Sequence, residues 1–512
     1  MSIVRRDLIA RGLAVLVALA SLVFTAPSLA VRVSTTGTGQ VLLFPYYTTQ
    51  NGNTSLISLV NTTRQGKAVR VNFRETRGGY VVAQLNVYLS AGDVWTAAVV
   101  GSSGGTRLVS NDVTCTTPVV AAVPPGVSPG LDFSLPPYQA QVDFEATKTP
   151  DPRREGYVEV IEMATIPLIT RTGIFITHVA GVAPCGHGMK ELTYEPPAAD
   201  LSPPSGGLTG TLSIVNVGQG MLVSTAATAL ENFWLTGPGA SAPRVWAANA
   251  TQPGLDSGGD KEAFLHGINT YYTQGSPTLS ARFAKSLDAV SAVLMIGSVY
   301  SEHAYTADGT IATTMVVTMP TKPYYIRSGD RGMFENAWND TTAKSCDTIS
   351  LVSYDREENT FSTPDFGLLP PRDHPQMCFV ANVHPLAHGG VDSLGFPVAT
   401  GVPDATFLGA NAPFALPAVQ DRWRSVVAPG REGGWLELAF TTPTANLKPL
   451  DASTVQITNG KPELVKIVGT MYGLPAIGFT LSQSAYKAGS PQQNFADAVP
   501  IRTQPVIVTG HP

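Results

Sequence analysis

Val69-Arg70-Val71-Asn72-Phe73-Arg74 decides the fold class. Apolar and polar residues alternate one for one, the period of a strand with one buried face. Leu85, Val87 and Leu89 repeat the pattern around Asn86 and Tyr88, and Ser90-Ala91-Gly92-Asp93 supplies a turn before Val94-Trp95-Thr96-Ala97-Ala98-Val99. Upstream, Val41-Leu42-Leu43-Phe44 is a buried run, and Asn51-Gly52 is a hairpin signal ahead of Leu56-Ile57-Ser58-Leu59-Val60. Short strands with turn residues between them describe a sandwich. The alternation predicts one shared core under Val69, Val71, Phe73, Leu85, Val87 and Leu89, covered by Trp95. It also predicts that Arg70, Asn72 and Arg74 face solvent.

The pattern continues beyond this segment. Tyr157 to Met163, Leu212 to Val217, Met315 to Met319, Ile349 to Tyr354, Cys378 to Val383, Trp435 to Phe440 and Leu464 to Met471 read as strands. Thr225 to Asn232 reads as a short helical piece, and Ser286 as the cap of a helix over Leu287 to Met295. The expected fold is therefore mainly β: an immunoglobulin-like β-sandwich N-terminal domain followed by further β-rich domains with short helices. The Pro/Gly-rich stretch from Glu195 to Gly207 is the best boundary candidate. The expected organisation is a signal segment at 1–30 and an N-terminal sandwich with a Pro-rich loop at 31–200. A mixed β-rich region with short helices follows at 201–345, and a C-terminal β-rich region at 346–512.

Composition supports a turn-rich globular chain. Of 512 residues, 49 are glycine and 40 proline, and only 14% are charged against roughly 25% in a typical domain. Lys and Arg total 33 against 38 Asp and Glu, which excludes a basic nucleic-acid binder. The first thirty residues carry an export signal: Arg5, Arg6 and Arg11, then an apolar run from Gly12 to Phe24, then Ser28-Leu29-Ala30. Cleavage is expected between Ala30 and Val31. Arg5-Arg6-Asp7-Leu8-Ile9 loosely resembles a twin-arginine signal, whereas the strongly apolar run favours unfolded export. No later stretch is long and apolar enough for a transmembrane helix. The expected location is the periplasm, cell surface or extracellular space.

Four cysteines, Cys115, Cys185, Cys346 and Cys378, in an exported chain read as disulfides. They allow three pairings. Neighbour pairing keeps each bridge within one half, and Cys346–Cys378 is the bridge expected most directly. The competing chemistry is a soft metal site built from Cys378 with His374, His384 and His388, or from Cys185 with His187. Pro after His374 and His384 favours turn chemistry instead, so no metal and no cofactor are assigned.

Catalytic patterns give no residue to assign. Asp256-Ser257-Gly258-Gly259 resembles the end of a serine-protease word but lacks its histidine setting, and reads as a loop. Glu159 and Glu162, three apart on a strand, point to opposite faces and form no acid pair. Asp355-Arg356-Glu357-Glu358 reads as a solvated turn. Tyr46, Tyr47, Trp95, Tyr271, Tyr272, Tyr324 and Tyr325 are candidates for stacking on sugars or anchoring a partner, or else strand-end core residues.

Several words together resemble an uncharacterised family of exported proteobacterial proteins of similar length. They are Gly39-Gln-Val-Leu-Leu-Phe-Pro-Tyr-Tyr47, Asp93-Val-Trp-Thr96, Gly156-Tyr-Val-Glu-Val-Ile-Glu-Met163, Ser205-Gly-Gly-Leu208, Asp288-Ala-Val-Ser-Ala292, Met319-Pro-Thr-Lys322, Tyr354-Asp-Arg-Glu-Glu358 and Gly473-Leu-Pro-Ala-Ile-Gly-Phe479. The family has no established activity, so the resemblance implies an envelope or extracellular location and carries over no functional residue. The function expected is that of an exported envelope or secreted β protein with a structural or binding role. Its partner would be an envelope or extracellular protein or polysaccharide. The alternative is a secreted hydrolase acting on polysaccharide or peptide.

Overall fold

The computed structural model describes residues 30–120, 130–138, 151–236, 239–266, 269–270, 278–304, 311–358, 360–362, 376–386, 390–391, 397–398, 433–440, 449–458, 465–485, 494–504 and 507–511. The residues before Ala30, where an export signal is expected, most of the Pro/Gly-rich stretch at 390–430, Tyr271, Tyr272, His374 and His388 lie outside them. The described chain is mainly β, built of antiparallel sheets with a few short helices.

Gly66–Glu75 and Val81–Leu89 pair antiparallel, with Val69 opposite Val87 and Val71 opposite Leu85. They belong to a seven-stranded sheet whose spatial order is Arg32–Val33, Thr228–Glu231, Val41–Thr48, Glu155–Ile166, Gly66–Glu75, Val81–Leu89 and Cys115–Thr117. A second sheet, in the order Met221–Ala226, Leu208–Asn216, Thr54–Asn61, Val94–Ser102, Gly105–Val109 and Leu131–Asp132, faces it. Between them lies one core holding Val69, Val71, Phe73, Leu85, Val87, Leu89 and Trp95. Trp95 is fully buried, as the turn at Gly92 requires of the strand that follows it.

Two readings of local structure are corrected. Residues 221–231 form the strands Met221–Ala226 and Thr228–Glu231 rather than a helical piece. Met221 and Val223 point into the core and Leu222 and Ser224 outward, a period of two that overrides the alanines. The helix Ser286–Leu294 forms, but Lys285 occupies its cap position, and the Ser286 hydroxyl donates to Asp256 O instead. Strands 208–231 return to both N-terminal sheets, so position 200/201 falls inside this pair of sheets.

The later chain continues the same layers. A four-stranded sheet, Ala381–Leu386, Ile311–Thr318, Ile477–Ala485 and Asn494–Pro500, adds Val316, Ala381, Val383, Phe479 and Leu481 to the N-terminal core. Met315 and Val317, on the other face of the same strand, enter a second core with the helix, Leu436, Leu438 and Val31. That core is enclosed by a five-stranded sheet (Thr360–Ser362, Ser350–Asp355, Gly433–Ala439, Ser298–Ala304, Arg502–Gln504) and a six-stranded one containing Glu262–His266 and Thr278–Arg282. At the junction, Gly79 has φ +64° and lies where a Cβ would sit 2.2 Å from Pro323, so only glycine fits. Disulfides join Cys115 to Cys185 and Cys346 to Cys378.

Candidate functional site

The polar face of the seven-stranded sheet does not meet solvent. Arg70, Asn72, Arg74 and Asn86 are all buried, which overturns the solvent-facing expectation. An irregular strap at 244–254 lies across them, and its carbonyls need donors. The sheet supplies these. Asn86 Nδ2 donates to Trp246 O at 2.8 Å, Arg70 to Ala247 O at 2.7 Å and to Ala250 O at 2.8 Å, Gln84 to Ala248 O at 2.7 Å, and Asn72 to Pro253 O at 3.3 Å. Alternation of polar with apolar residues thus marks two covered faces here, one apolar and one hydrogen-bonding. Burial lowers the Arg70 guanidinium to a pKa of about 10.

The strand Glu155–Ile166 carries the acids of this region. Glu159, level with Asn72, shares its face with Arg74 and pairs with it at 2.7 Å. It also accepts a hydrogen bond from Tyr324 at 3.0 Å. Burial alone would depress Arg74, but the Glu159 carboxylate and the Tyr324 hydroxyl outweigh it and hold the guanidinium above its usual range. Glu162, level with Val69, sits on the opposite face, as their spacing predicts. It binds Lys67 at 2.8 Å and accepts the backbone N–H groups of Ser205 and Gly206. Two of the words in the family resemblance, ending at Met163 and beginning at Ser205, therefore meet in one structural joint. At the strand's start, Glu155 accepts from the Tyr46 hydroxyl at 2.6 Å, and burial raises its pKa to about 7. Glu75 is likewise raised by burial, against the lowering effect of N–H donors from Tyr80, Arg77 and Gly78 and of the Tyr138 hydroxyl. All these carboxylates are covered, and their partners make them internal ties between chain segments.

Most of the other candidate residues are also internal. Tyr46, Tyr47, Trp95 and Tyr325 are buried core residues. His384 is fully buried on Ala381–Leu386, and burial lowers its pKa to about 3, so it is neutral at ordinary pH. Among the described residues no three His, Cys, Asp or Glu side chains gather as a metal-binding group. Ser257 sits in its loop accepting Gly254 N–H at 3.0 Å. Asp355 is buried and closes the turn by accepting from Glu357 N, while Arg356, Glu357 and Glu358 are exposed.

Among the described residues, the outer face of the five-stranded sheet gathers exposed and half-buried aromatic side chains. In Gly433–Ala439, Leu436 and Leu438 point inward, so Trp435 and Glu437 point out, and Trp435 is 37% exposed. Registration sets Tyr354 beside Trp435 on one side and Glu302 beside it on the other, with Tyr300 opposite Glu437. The Tyr354 and Trp435 rings stack at 4.1 Å and 9°, and Tyr300 lies 5.9 Å from Trp435, tilted by 45°. Three neighbouring strands therefore present a continuous aromatic strip. Polar groups rim it: Tyr300 donates to Glu437 at 3.3 Å, and Arg502 pairs with Glu302 at 2.9 Å with both side chains more than 70% exposed. Burial first, and then the Glu437 carboxylate, raise the Tyr300 hydroxyl above its usual pKa, while a side-chain bond with Ser298 opposes them. Open aromatic edges beside solvated donors and acceptors suit a ligand with apolar C–H faces and many hydroxyls.

In the sequence Trp435 reads only as the start of a strand, and nothing local marks Tyr300 or Tyr354 as its aromatic neighbours. Outward phase on their strands was the available signal, and the pairing of strands about 80 residues apart was not. Comparison with protein-family models, with curated proteins and with solved structures returns no match.

Proposed function

We propose that the protein is an exported component of the bacterial envelope or its surroundings with a binding role, and that the Tyr300–Trp435–Tyr354 strip binds a polysaccharide. The strip is the observation that carries this reading: three adjoining rings on an open sheet face, flanked by ionised groups that can serve sugar hydroxyls. Isolated exposed aromatics are ordinary, but a cross-strand row with polar flanks is the arrangement of a recognition face. Export is supported by the signal-like first thirty residues and is compatible with the two disulfides. Among the described residues no helix is long and apolar enough to cross a membrane. The facing N-terminal sheets are read as an elaborated immunoglobulin-like sandwich, because successive hairpins exchange between them.

The test is binding of the purified mature protein to a panel of envelope and extracellular polysaccharides, by affinity electrophoresis and calorimetry. Trp435→Ala should weaken binding by about tenfold or more, the equivalent of roughly 1.4 kcal/mol. Its unfolding midpoint should stay near that of the wild type, since the ring lies on an open face. Wild-type protein that binds no polysaccharide, or a Trp435→Ala variant that binds as well, overturns the proposal.

A further inference from the structure

Lys322 is a fully buried lysine held against a fully buried aspartate, Asp347, at 2.6 Å. Its ammonium end also reaches Ser345 O at 2.7 Å, and Met377 O and Phe379 O at longer range, 3.3 and 3.4 Å. These residues flank the two cysteines of the Cys346–Cys378 bridge, so Lys322 lies inside the ribbon in which Asp347 pairs with Met377. The Phe334 ring lies 5.6 Å away. Asp347 Oδ1 accepts the backbone N–H of Glu335 at 2.7 Å, and Glu335 Oε2 is fixed by Thr348 N–H at 2.8 Å.

We propose that Lys322 and Asp347 condense into an intramolecular isopeptide bond, with the Glu335 backbone N–H as the oxyanion donor. The reaction needs an amine and a carboxyl in contact, water excluded and a donor for the oxyanion. Each is present. Nζ attacks Cγ of the protonated Asp347 carboxyl, and the charge that develops on Oδ1 is held by Glu335 N–H. The amine proton passes directly to Oδ2, 2.6 Å from Nζ. The Cγ–Oδ2 bond breaks and that oxygen leaves as water. One amide forms, one water is released, and neither oxidant nor co-reactant is needed. Burial lowers Lys322 and raises Asp347 from their ordinary values, against their mutual attraction, and both shifts favour the neutral amine–acid pair that reacts.

The second buried pair, Lys67–Glu162, shows what the chemistry requires. There both carboxylate oxygens are engaged by donors besides the lysine, Oε1 by Ser205 N–H and the Thr165 hydroxyl and Oε2 by Gly206 N–H, so neither oxygen is free to leave. The cross-link would join the segment beginning at Met319 to the ribbon already closed by Cys346–Cys378.

The test is peptide mapping by mass spectrometry of the reduced, exported full-length protein. The expected product is one branched peptide joining the Lys322 and Asp347 segments, lighter than the two linear peptides by one water. Lys322→Met, which removes the amine, should yield the two linear peptides while its circular dichroism stays that of the wild type. Linear Lys322 and Asp347 peptides from folded wild-type protein overturn the proposal. Water loss confined to a linear Asp347 peptide, the mark of a succinimide, overturns it as well.

Discussion

Replacing Arg70 with alanine tests the covered polar face directly. The guanidinium donates to Asn86 Oδ1 at 2.8 Å, Ala250 O at 2.8 Å and Ala247 O at 2.7 Å, and the side chain is fully buried. Ala250 O would keep Gln84 as a donor, at 3.0 Å. Ala247 O and Asn86 Oδ1 would lose the guanidinium, at about 1–3 kcal/mol for each buried acceptor left unpaired. The vacated volume adds about 2–5 kcal/mol, as for other large-to-small changes. Relief from burying a charge offsets several kcal/mol of this. The expected net loss is about 3–5 kcal/mol, comparable to Leu85→Ala in the core beneath it. Urea unfolding followed by tryptophan fluorescence would measure it, and amide exchange should show faster opening of residues 244–254. A solvated arginine at this position would cost less than about 0.5 kcal/mol on truncation. If Arg70→Ala falls in that range and exchange of the strap is unchanged, the strap does not dock as described.

Two further outcomes follow from the buried groups. Glu155, with a folded pKa of about 7 against an unfolded value near 4.3, holds a proton across that interval in the folded state only. Its contribution is complete below about pH 4.3 and is lost as pH rises through 7, to a total on the order of 3 kcal/mol. Glu155→Gln should remove that slope in unfolding free energies measured from pH 5 to 8, and an unchanged slope would refute the assignment. Replacing both Cys115 and Cys185 by alanine opens a bridge spanning 70 residues and should cost about 4 kcal/mol in the chain-entropy model. A urea midpoint equal to that of the wild type would show that the bridge constrains nothing.

Strand type was legible residue by residue. The Val69, Val71, Phe73 and Leu85, Val87, Leu89 series share a core because a period of two leaves them no other face. What covers the opposite face was not legible, since Arg70 or Asn72 beside water and beside a carbonyl-lined strap is the same letter in the same place. The strap's Trp246 to Pro253 meets that sheet from more than 150 residues away, and no local rule announces such a pairing. The Pro/Gly-rich run at 195–207 illustrates a related ambiguity. Its residues do leave regular structure, yet Ser205 and Gly206 are gripped by Glu162, and the next strand rejoins the first sheet pair. The aromatic strip was half legible: the outward phase of Trp435 can be read from its leucine neighbours, whereas its neighbours Tyr354 and Tyr300 come only from registration.

The sharing of one wall between two cores has a consequence for the order of events at biosynthesis. Phe479 and Leu481 fill the same core as Phe44 and Val71, although more than 400 residues separate them in sequence. At about 5–20 residues per second, a ribosome that has finished the strands near residue 100 needs roughly 20 s to more than a minute to supply the last of that wall. A chain that folded as it was made would carry, throughout this interval, an uncovered apolar margin and unpaired strand edges, the features that recruit holdase chaperones and seed misassembly, and unfolded export avoids that exposure. A chain wired in this way completes its N-terminal core only near its end, and deletions that reach Ile477–Ala485 will be felt in the N-terminal sheets as well.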